Sequence, residues 1–190
     1  MVLVVAAIGR SNSGKTVTIE YLIRQLSVEG YNIGAIKHVH HRGFTIDTEG
    51  KNTWRYAQAG AKVVAAISPD EVAIIKKTIQ TASNLDQVIN DLKEESLDVI
   101  FVEGYQDLIA KRGDVLKILT ASEFNFLQEM LKGTVEPILA ISGVVAKNLK
   151  EVFIGKYPVI KIPEEGKILV ELIKQELIRH KKSVEATKSE

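Results

Sequence analysis

The residues from Gly9 to Thr16 carry the clearest chemistry in the sequence. They read Gly-Arg-Ser-Asn-Ser-Gly-Lys-Thr, which matches the phosphate-binding pattern G-x-x-x-x-G-K-S/T. Glycines let the backbone curl so that successive N–H groups point at phosphate oxygens, and the following helix adds its positive dipole end. The pattern places Lys15 for the β- and γ-phosphates and the Thr16 hydroxyl for Mg²⁺. These residues therefore predict binding of a nucleoside triphosphate with Mg²⁺.

Two acidic residues are candidates for holding Mg²⁺ or its waters. Glu103 ends an apolar run and precedes Gly104, so it lies at the carboxyl end of a predicted strand, where open α/β sheets bind ligands. Asp47 lies in the polar stretch after the second predicted strand, in a loop that could sense the γ-phosphate. The alternatives are a solvated strand-end acid for Glu103 and an ordinary turn aspartate for Asp47.

Three of the four histidines form one cluster, His38, His40 and His41. On a strand, His38 and His40 share a face, and two imidazoles on one face could bind Zn²⁺. A zinc site needs three or four ligands, and the sequence offers no evident fourth ligand. We favour a polar strand end in the active cleft, where a histidine contacts phosphate, substrate or a loop carboxylate. A purely structural role is the remaining alternative.

Hydrophobic periodicity predicts strands that alternate with helices around these motifs. Apolar, β-branched runs typical of buried strands occupy 2–8, 33–39, 63–67, 72–75, 97–102, 115–119, 138–141 and 159–162. Helical spacing predicts helices after the phosphate loop and near Lys51, Ser83, Phe124 and Glu165. The alternation predicts an α/β fold with a doubly wound, mostly parallel sheet, the P-loop NTPase fold. We expect one nucleotide-binding domain over residues 1–180 and a frayed polar tail over 181–190.

Composition excludes several classes of function. The formal net charge of the 190 residues is +1, so no global field favours nucleic acid or an anionic membrane. The chain has no cysteine, which excludes disulfides and thiolate-held zinc or iron–sulfur sites. No apolar run approaches the ~20 residues of a membrane-spanning helix. No targeting segment is evident, and we therefore expect a soluble, cytoplasmic protein.

Further segments accompany the phosphate loop in a distinctive order. They are Ala35–His41, which contains Lys-His-x-His-His, then Phe44–Asp47, Gly50–Arg55 with its Trp-Arg pair, Ala59–Ala61 and Asp98–Tyr105. Together with the phosphate loop, these segments resemble the molybdopterin-guanine dinucleotide biosynthesis protein B family, MobB, over about the first hundred residues. The phosphate loop is shared by many families, whereas Lys-His-x-His-His combined with Trp-Arg is much more specific.

The resemblance implies a GTP-binding protein with Mg²⁺ and weak GTPase activity, usually a homodimer. It implies an adapter beside the guanylyltransferase that attaches GMP to molybdopterin, in biosynthesis of the molybdenum cofactor. Lys15, Asp47 and Glu103 then take the catalytic roles, and Thr16, Asp47 and Glu103 serve the metal. The implied phosphate-binding positions are Gly9, Arg10, Ser11, Asn12, Ser13, Gly14, Lys15, Thr16 and Val17.

Some positions depart from the family pattern. Val17 stands where a second threonine commonly follows, which removes a contact to the α-phosphate. Asn52 replaces an aspartate that is frequent before the Trp-Arg pair. Gln106 replaces a lysine that often follows the Glu-Gly-aromatic motif. The Asn-Lys-x-Asp motif with which many GTPases read guanine is absent from the sequence, so GTP rather than ATP rests on the resemblance alone.

The sequence leaves other functions open. A small-molecule kinase would need an arginine-bearing lid, of which Lys111-Arg112-Gly113 is the only hint. A metal-insertion GTPase would use the histidine cluster as a metal relay. A non-hydrolysing module would use the nucleotide only as a conformational switch. Arg10, Arg42 and Arg55 are candidates for an arginine finger, although solvated surface arginines are the more ordinary interpretation.

Overall fold

The computed structural model describes residues 2–41, 43–77 and 84–188. The chain divides into two compact units, of which the larger comprises Met1–His38 with Asp86–Glu190 and the smaller comprises Val39–Leu85. Ser83, near which a helix is predicted, and the arginine-finger candidate Arg42 lie outside the described residues. The single domain over residues 1–180 stays a prediction.

Strands and helices alternate along the larger unit, as the hydrophobic periodicity predicts. In chain order the elements of the described residues are β1 (Leu3–Ile8), α1 (Lys15–Val28), β2 (Ile33–Lys37), α2 (Asn52–Gln58), β3 (Val63–Ile67), β4 (Val72–Lys76), α3 (Asn84–Lys93), β5 (Val99–Glu103), α4 (Gln106–Ile109), β6 (Leu116–Thr120), α5 (Phe124–Gly133), β7 (Ile138–Ser142), α6 (Val144–Asn148), β8 (Phe153–Ile154), β9 (Tyr157–Pro158) and α7 (Gly166–Lys188).

The larger unit is built on a five-stranded sheet in the order β2-β5-β1-β6-β7, with every neighbouring pair parallel. Its strands are apolar and β-branched, which suits strands covered on both faces. The register pairs Ala7 of β1 and Lys37 of β2 with Glu103 of β5. Because all strands run the same way, their carboxyl ends meet at one edge, and this edge carries the phosphate loop and Glu103.

The two faces of this sheet are covered by different helices. On one face, Val5, Phe101 and Ile118 form a buried core with Leu22 of α1 and Ile173 of α7. On the other face, α4 packs on β1 and α5 packs on β6. Phe101 is 1% exposed, so we expect its replacement by alanine to cost about 3–5 kcal/mol. The sheet is therefore doubly wound, and the predicted α/β fold is confirmed.

The smaller unit contains α2 and an antiparallel hairpin of β3 and β4, with Ala65 opposite Ile74. Its turn is closed by Ser68, whose N–H donates to the carbonyl of Glu71 at 2.8 Å. Both strands match the predicted runs at 63–67 and 72–75 to within one residue. This hairpin is a separate antiparallel sheet, and the predicted parallel sheet is the five-stranded one of the larger unit.

The predicted strand at 159–162 is wrong, because only Val159 bridges to β7, opposite Ile141. Pro158 and Pro163 flank the segment, and proline has no N–H with which to continue a ladder. The short hairpin of β8 and β9 precedes it and was not evident from the sequence.

The last helix, α7, extends through Lys188, past the predicted start of a frayed tail at 181. Lys181 donates to the carboxylate of Asp98 at 3.0 Å, which ties this part of the helix to the loop before β5. None of the helices described is both long and apolar enough to cross a membrane.

Candidate functional site

The phosphate loop connects β1 to α1 through a backbone that favours glycine. Gly14 has φ of 99° and stands at the N-cap of α1, while Asn12 has φ of 60°. Both angles lie in the left-handed region, which glycine and asparagine adopt more readily than other residues. The first N–H groups of an α-helix have no carbonyl partner within the helix. The N-terminus of α1 therefore presents its first N–H groups at this edge of the sheet. The loop thus has the form that its sequence predicts.

The floor of the loop is fixed by a buried pair of hydroxyl groups. Thr120 Oγ1 donates to the carbonyl of Ile8 at 3.1 Å, and it lies 2.7 Å from Ser13 Oγ. Because Thr120 has one hydroxyl proton and uses it on Ile8, Ser13 is the donor in the second bond. Ser13 and Thr120 are 1% and 0% exposed, so both bonds are shielded from water. They connect the loop to the ends of β1 and β6.

The turn after β7 supports the loop from the other side. The N–H of Val144 donates to the carbonyl of Ser13 at 3.0 Å. Gly143 has φ of 84°, and a Cβ atom there would collide with the carbonyl oxygen of Ser13. A Cβ atom on Gly14 would in turn come within 2.8 Å of the Cα of Gly143. Close contact between the two turns therefore requires glycine in both.

Lys15 folds back over the loop that it follows. Its Nζ atom donates to the carbonyls of Gly9 at 2.8 Å and Arg10 at 2.7 Å. Burial lowers the pKa of Lys15, the carboxylate of Glu103 acts to raise it, and the nearby ammonium of Lys37 acts to lower it. A lysine held by carbonyl oxygens at the mouth of such a loop can exchange them for phosphate oxygens with little movement of the backbone.

Glu103 lies beside Thr16, at the end of β5. The Thr16 hydroxyl lies 3.0 Å from Oε1 and 3.1 Å from Oε2 of Glu103, so it donates to the carboxylate. The side chain of Glu103 is 11% exposed. A buried carboxylate needs partners of opposite charge or hydrogen-bond donors, and Thr16 supplies one of them. The structure thus brings together these two predicted metal-site residues.

Lys37 is the residue of this site that our sequence reasoning missed. It forms an ion pair with Glu103, and it is paired with Glu103 in the register of β2 and β5. Its side chain is 58% exposed. A signal was present, because Lys37 opens the Lys-His-x-His-His segment within the strand predicted over 33–39. Local sequence could not show that β2 and β5 are neighbours in the sheet.

These groups line a cleft of about 540 Å³ at the carboxyl edge of the sheet. Its lining residues come from the phosphate loop, the ends of β2 and β5, and the turn after β7, and they are Ser11, Asn12, Ser13, Gly14, Lys15, Thr16, Val17, Lys37, Glu103 and Val144. Two ammonium groups, helix N–H groups and hydroxyls form a lining suited to phosphate oxygens. Val17 presents an exposed apolar side chain to this cleft.

Asp47 belongs to the smaller unit, where it organises a loop. Its Oδ1 atom accepts from the Thr53 hydroxyl at 2.8 Å and from the N–H of Thr48 at 2.9 Å, and its own N–H donates to Thr45 Oγ1 at 3.1 Å. This is the pattern of an aspartate that stabilises a turn. A further role of Asp47 toward metal or water stays a prediction.

His38 shapes the turn that follows Glu103. Its ring stacks on Tyr105, with the ring centres 3.9 Å apart and the planes at 15°. A Cβ atom on Gly104 would come within 2.7 Å of the Cβ atom of His38, and Gly104 and Tyr105 both have positive φ. Burial raises the pKa of Tyr105. In the part of the chain described, no group of three or more His, Cys, Asp or Glu side chains could hold a metal ion.

The other cations considered from sequence have different surroundings. Arg10 pairs with Glu129 at 3.2 Å and lies 3.8 Å above the ring of Phe126, beside a second cavity of about 250 Å³. Arg112 pairs with Asp86 and Asp114, and these carboxylates raise its pKa. Arg112 is thus held in an ion-pair network, which does not suit a lid over phosphates. Arg55 lies in α2, within the smaller unit.

Comparison with known proteins places this site in a family. The model of the family described as molybdopterin guanine dinucleotide synthesis protein B, MobB, matches residues 4–135. The chain belongs to the MobB family. The matched range includes the phosphate loop, Lys37, Asp47 and Glu103, so the resemblance seen in the sequence is confirmed.

Two relatives are named as molybdopterin-guanine dinucleotide biosynthesis adapter proteins. The molybdopterin-guanine dinucleotide biosynthesis adapter protein of Haemophilus influenzae is 35% identical over 98 residues, which are 52% of this chain and 54% of that protein. The probable adapter protein of Bacillus subtilis is 30% identical over 128 residues, 67% of this chain and 69% of that protein. The chain thus spans about half to two thirds of the length of these relatives.

A solved MobB structure extends the comparison to nearly the whole chain. The crystal structure of Bacillus subtilis MobB matches with a TM-score of 0.68 and 25% identity, over 91% of this chain and 96% of that chain. The family model ends at residue 135, whereas the structural match also takes in elements after it. The likeness to the MobB fold therefore extends beyond residue 135, where the sequence shows only a generic strand–helix pattern.

Proposed function

We propose that the chain is a GTP-binding adapter of molybdenum cofactor biosynthesis that assists attachment of GMP to molybdopterin. Weak, Mg²⁺-dependent hydrolysis of GTP accompanies this role. The observation that carries the proposal is the Thr16–Glu103 hydrogen bond beside Lys15, at the carboxyl edge of the sheet. P-loop proteins use the same set of groups, a hydroxyl, a carboxylate and a loop lysine, around Mg²⁺ and phosphate.

The phosphates of GTP occupy the cleft over the phosphate loop in this proposal. Helix N–H groups from α1 and the Lys15 ammonium bind phosphate oxygens, and Lys15 leaves the carbonyls of Gly9 and Arg10 to do so. The floor made by Ser13 and Thr120 keeps the loop in its curled form before the nucleotide binds. This preorganisation reduces the conformational entropy that binding must overcome.

The donor set fits Mg²⁺. This ion takes oxygen ligands, keeps several waters, and is bound by one or two protein groups together with phosphate oxygens. The Thr16 hydroxyl and the Glu103 carboxylate would hold it or its waters, and Asp47 is the further candidate from the sequence. When bound, Mg²⁺ neutralises negative charge on the β- and γ-phosphates.

Hydrolysis proceeds by in-line attack of water on the γ-phosphate. Lys15 and the loop amides stabilise charge on the phosphate oxygens, and Glu103 or Asp47 orients the water. Among the described lining residues of the cleft, the cations are lysines and none is an arginine. Arginine fingers contribute about 10³–10⁵ in rate where they act, so hydrolysis without one is slow.

The partners follow from the family rather than from any surface of this chain. Relatives are named as molybdopterin-guanine dinucleotide biosynthesis adapter proteins. We propose that this chain likewise acts beside the molybdopterin guanylyltransferase, with molybdopterin or the molybdenum cofactor as the shared cargo. We also propose a homodimer, which light scattering of the purified protein would test against a mass of 21.0 kDa for one chain.

A reconstituted guanylation reaction tests the proposed function. Guanylyltransferase, molybdopterin and GTP with Mg²⁺ are combined with the wild-type chain, with Lys15→Ala, or with no addition. We expect more guanylated product with the wild type than without it, and no gain from Lys15→Ala. Equal product in all three reactions would contradict the adapter role. Phosphate release measured in the same mixtures reports whether the guanylyltransferase stimulates hydrolysis.

A further inference from the structure

The ion pair between Lys37 and Glu103 is set by the sheet. The two residues are register partners on β2 and β5, and the N–H of His38 donates to the carbonyl of Glu103 at 2.9 Å. Register partners on neighbouring parallel strands point to the same face, about 5 Å apart. The backbone therefore holds the Lys37 side chain beside Glu103, at the end of the sheet where the phosphate loop lies.

Three charged groups share the small space around the Thr16 hydroxyl. Glu103 accepts from both Thr16 and Lys37, while Lys15 is close enough to both charges for each to shift its pKa. One carboxylate thus faces two ammonium groups. Triphosphate and Mg²⁺ together add negative charge near the lysines and positive charge near the carboxylate, so the pairing of these groups must change when they bind.

We propose that Lys37 is an internal counterion that holds Glu103 before a divalent cation binds and then turns to the terminal phosphate. This inference rests on the proposed function and assigns a role in the same site. Lys37 and a divalent cation compete for the Glu103 carboxylate, because two positive charges close to one carboxylate repel each other. The γ-phosphate offers Lys37 a new partner within the cleft that it already lines.

The chemistry of lysine suits this exchange. Its ammonium is a compact charge on a flexible four-carbon stem, so it can change partners without movement of the backbone. The Lys37 side chain is 58% exposed, which leaves room for rotation, whereas that of Glu103 is 11% exposed. The mobile member of the pair is thus Lys37. A diphosphate lacks the partner to which Lys37 turns, so the residue also distinguishes GTP from GDP.

Two consequences separate this role from a merely structural ion pair. Without nucleotide, Lys37 competes with a divalent cation for Glu103, so its removal strengthens cation binding to the free protein. With nucleotide, Lys37 favours the triphosphate, so its removal lowers the preference for GTP over GDP. A structural ion pair predicts neither change, since its loss would weaken both kinds of binding or leave both unchanged.

Binding measurements on Lys37→Met and Lys37→Gln test the proposal. Mn²⁺ binding to the nucleotide-free protein is followed by electron paramagnetic resonance, and GTP and GDP affinities are measured by calorimetry with Mg²⁺. We expect Mn²⁺ to bind at least about threefold more tightly in both variants, and the GTP/GDP affinity ratio to fall about tenfold. Lys37→Arg keeps the charge and should retain most of the ratio. Lys167→Met, at an exposed position on α7, is the control for loss of one positive charge.

The outcomes separate this inference from the proposed function. An unchanged GTP/GDP ratio, or unchanged or weaker Mn²⁺ binding, in folded Lys37→Met and Lys37→Gln would overturn the role of Lys37 alone. Circular dichroism shows whether the variants are folded. A wild-type protein that binds no GTP at all would overturn the proposed function and this inference together.

Discussion

The hydroxyl of Thr16 donates to the carboxylate of Glu103, at 3.0 and 3.1 Å from its two oxygens, although the residues are 87 positions apart in sequence. Thr16 lies in the first turn of α1, and Glu103 ends β5, the neighbour of β1 in the sheet. Parallel strands whose carboxyl ends meet at one edge explain how distant residues come together. The same edge brings Lys37 to this pair.

Glu103→Gln should weaken the dependence of nucleotide binding and turnover on Mg²⁺. The amide oxygen still accepts from Thr16, but the negative charge that serves the metal is gone. We expect the Mg²⁺ concentration for half-maximal effect to rise by about tenfold or more, or roughly 1.4 kcal/mol. Titration of GTP hydrolysis with Mg²⁺ measures the change. Glu171→Gln on α7 is the control, and equal metal dependence in all three proteins would contradict the role of Glu103.

Asp47→Asn separates a metal role from a role in the loop. Asparagine retains an oxygen that accepts from Thr53 and Thr48, so the loop contacts are kept while the charge is removed. If Asp47 serves the metal or the attacking water, the Mg²⁺ dependence of turnover weakens in this variant. The same titration measures it. Unchanged turnover and unchanged Mg²⁺ dependence would contradict the metal role and show that Asp47 only stabilises its turn.

Affinity for triphosphate should fall as the pH rises through the pKa of Lys15. Burial lowers this pKa below its ordinary value of 10.5, and phosphate binds the protonated form. We expect the opposite trend in the stability of the nucleotide-free protein. Between the lowered pKa and 10.5 the unfolded chain binds more protons, so this contribution to unfolding free energy rises with pH. Calorimetric affinities and melting temperatures on the alkaline side test both signs, and a Lys15→Met variant should lose the rise in stability.

Gly143→Ala should destabilise the protein and weaken nucleotide binding together. The added Cβ collides with the carbonyl oxygen of Ser13, and φ of 84° strains any side chain. We expect a loss of about 1–3 kcal/mol, seen as a lower melting temperature. Gly133→Ala is the matched control, because its Cβ meets no atom within 4 Å. If Gly143→Ala melts and binds GTP like Gly133→Ala, the turn after β7 does not support the loop.

Local sequence predicts those parts of the protein whose structure depends on residues close together in the chain. The phosphate loop needs glycine at fixed spacing, and buried parallel strands need continuous apolar runs, so both could be predicted. The position of Glu103 at the end of β5 followed from the apolar run before it. The predicted strand at 159–162 was wrong because the proline residues at its ends outweigh its apolar character.

The remaining features depend on which strands are neighbours. Lys37 meets Glu103 because β2 lies beside β5, although α2, β3, β4 and α3 separate these strands in the chain. Thr120 and Gly143 support the phosphate loop because β6 and β7 follow β1 in the sheet order. Periodicity shows that a strand exists, but strand order and register arise from tertiary packing.

Calorimetric titration of the wild-type chain and Lys15→Ala with GTP and Mg²⁺ tests the central claim most directly. ATP and GDP are titrated alongside, because the base preference has no local signal in the sequence. The account predicts saturable GTP binding by the wild type, at least about 100-fold weaker binding by Lys15→Ala, and the same circular dichroism for both. GTP binding of equal affinity in both proteins would contradict the assignment of the Gly9–Thr16 loop as the phosphate site.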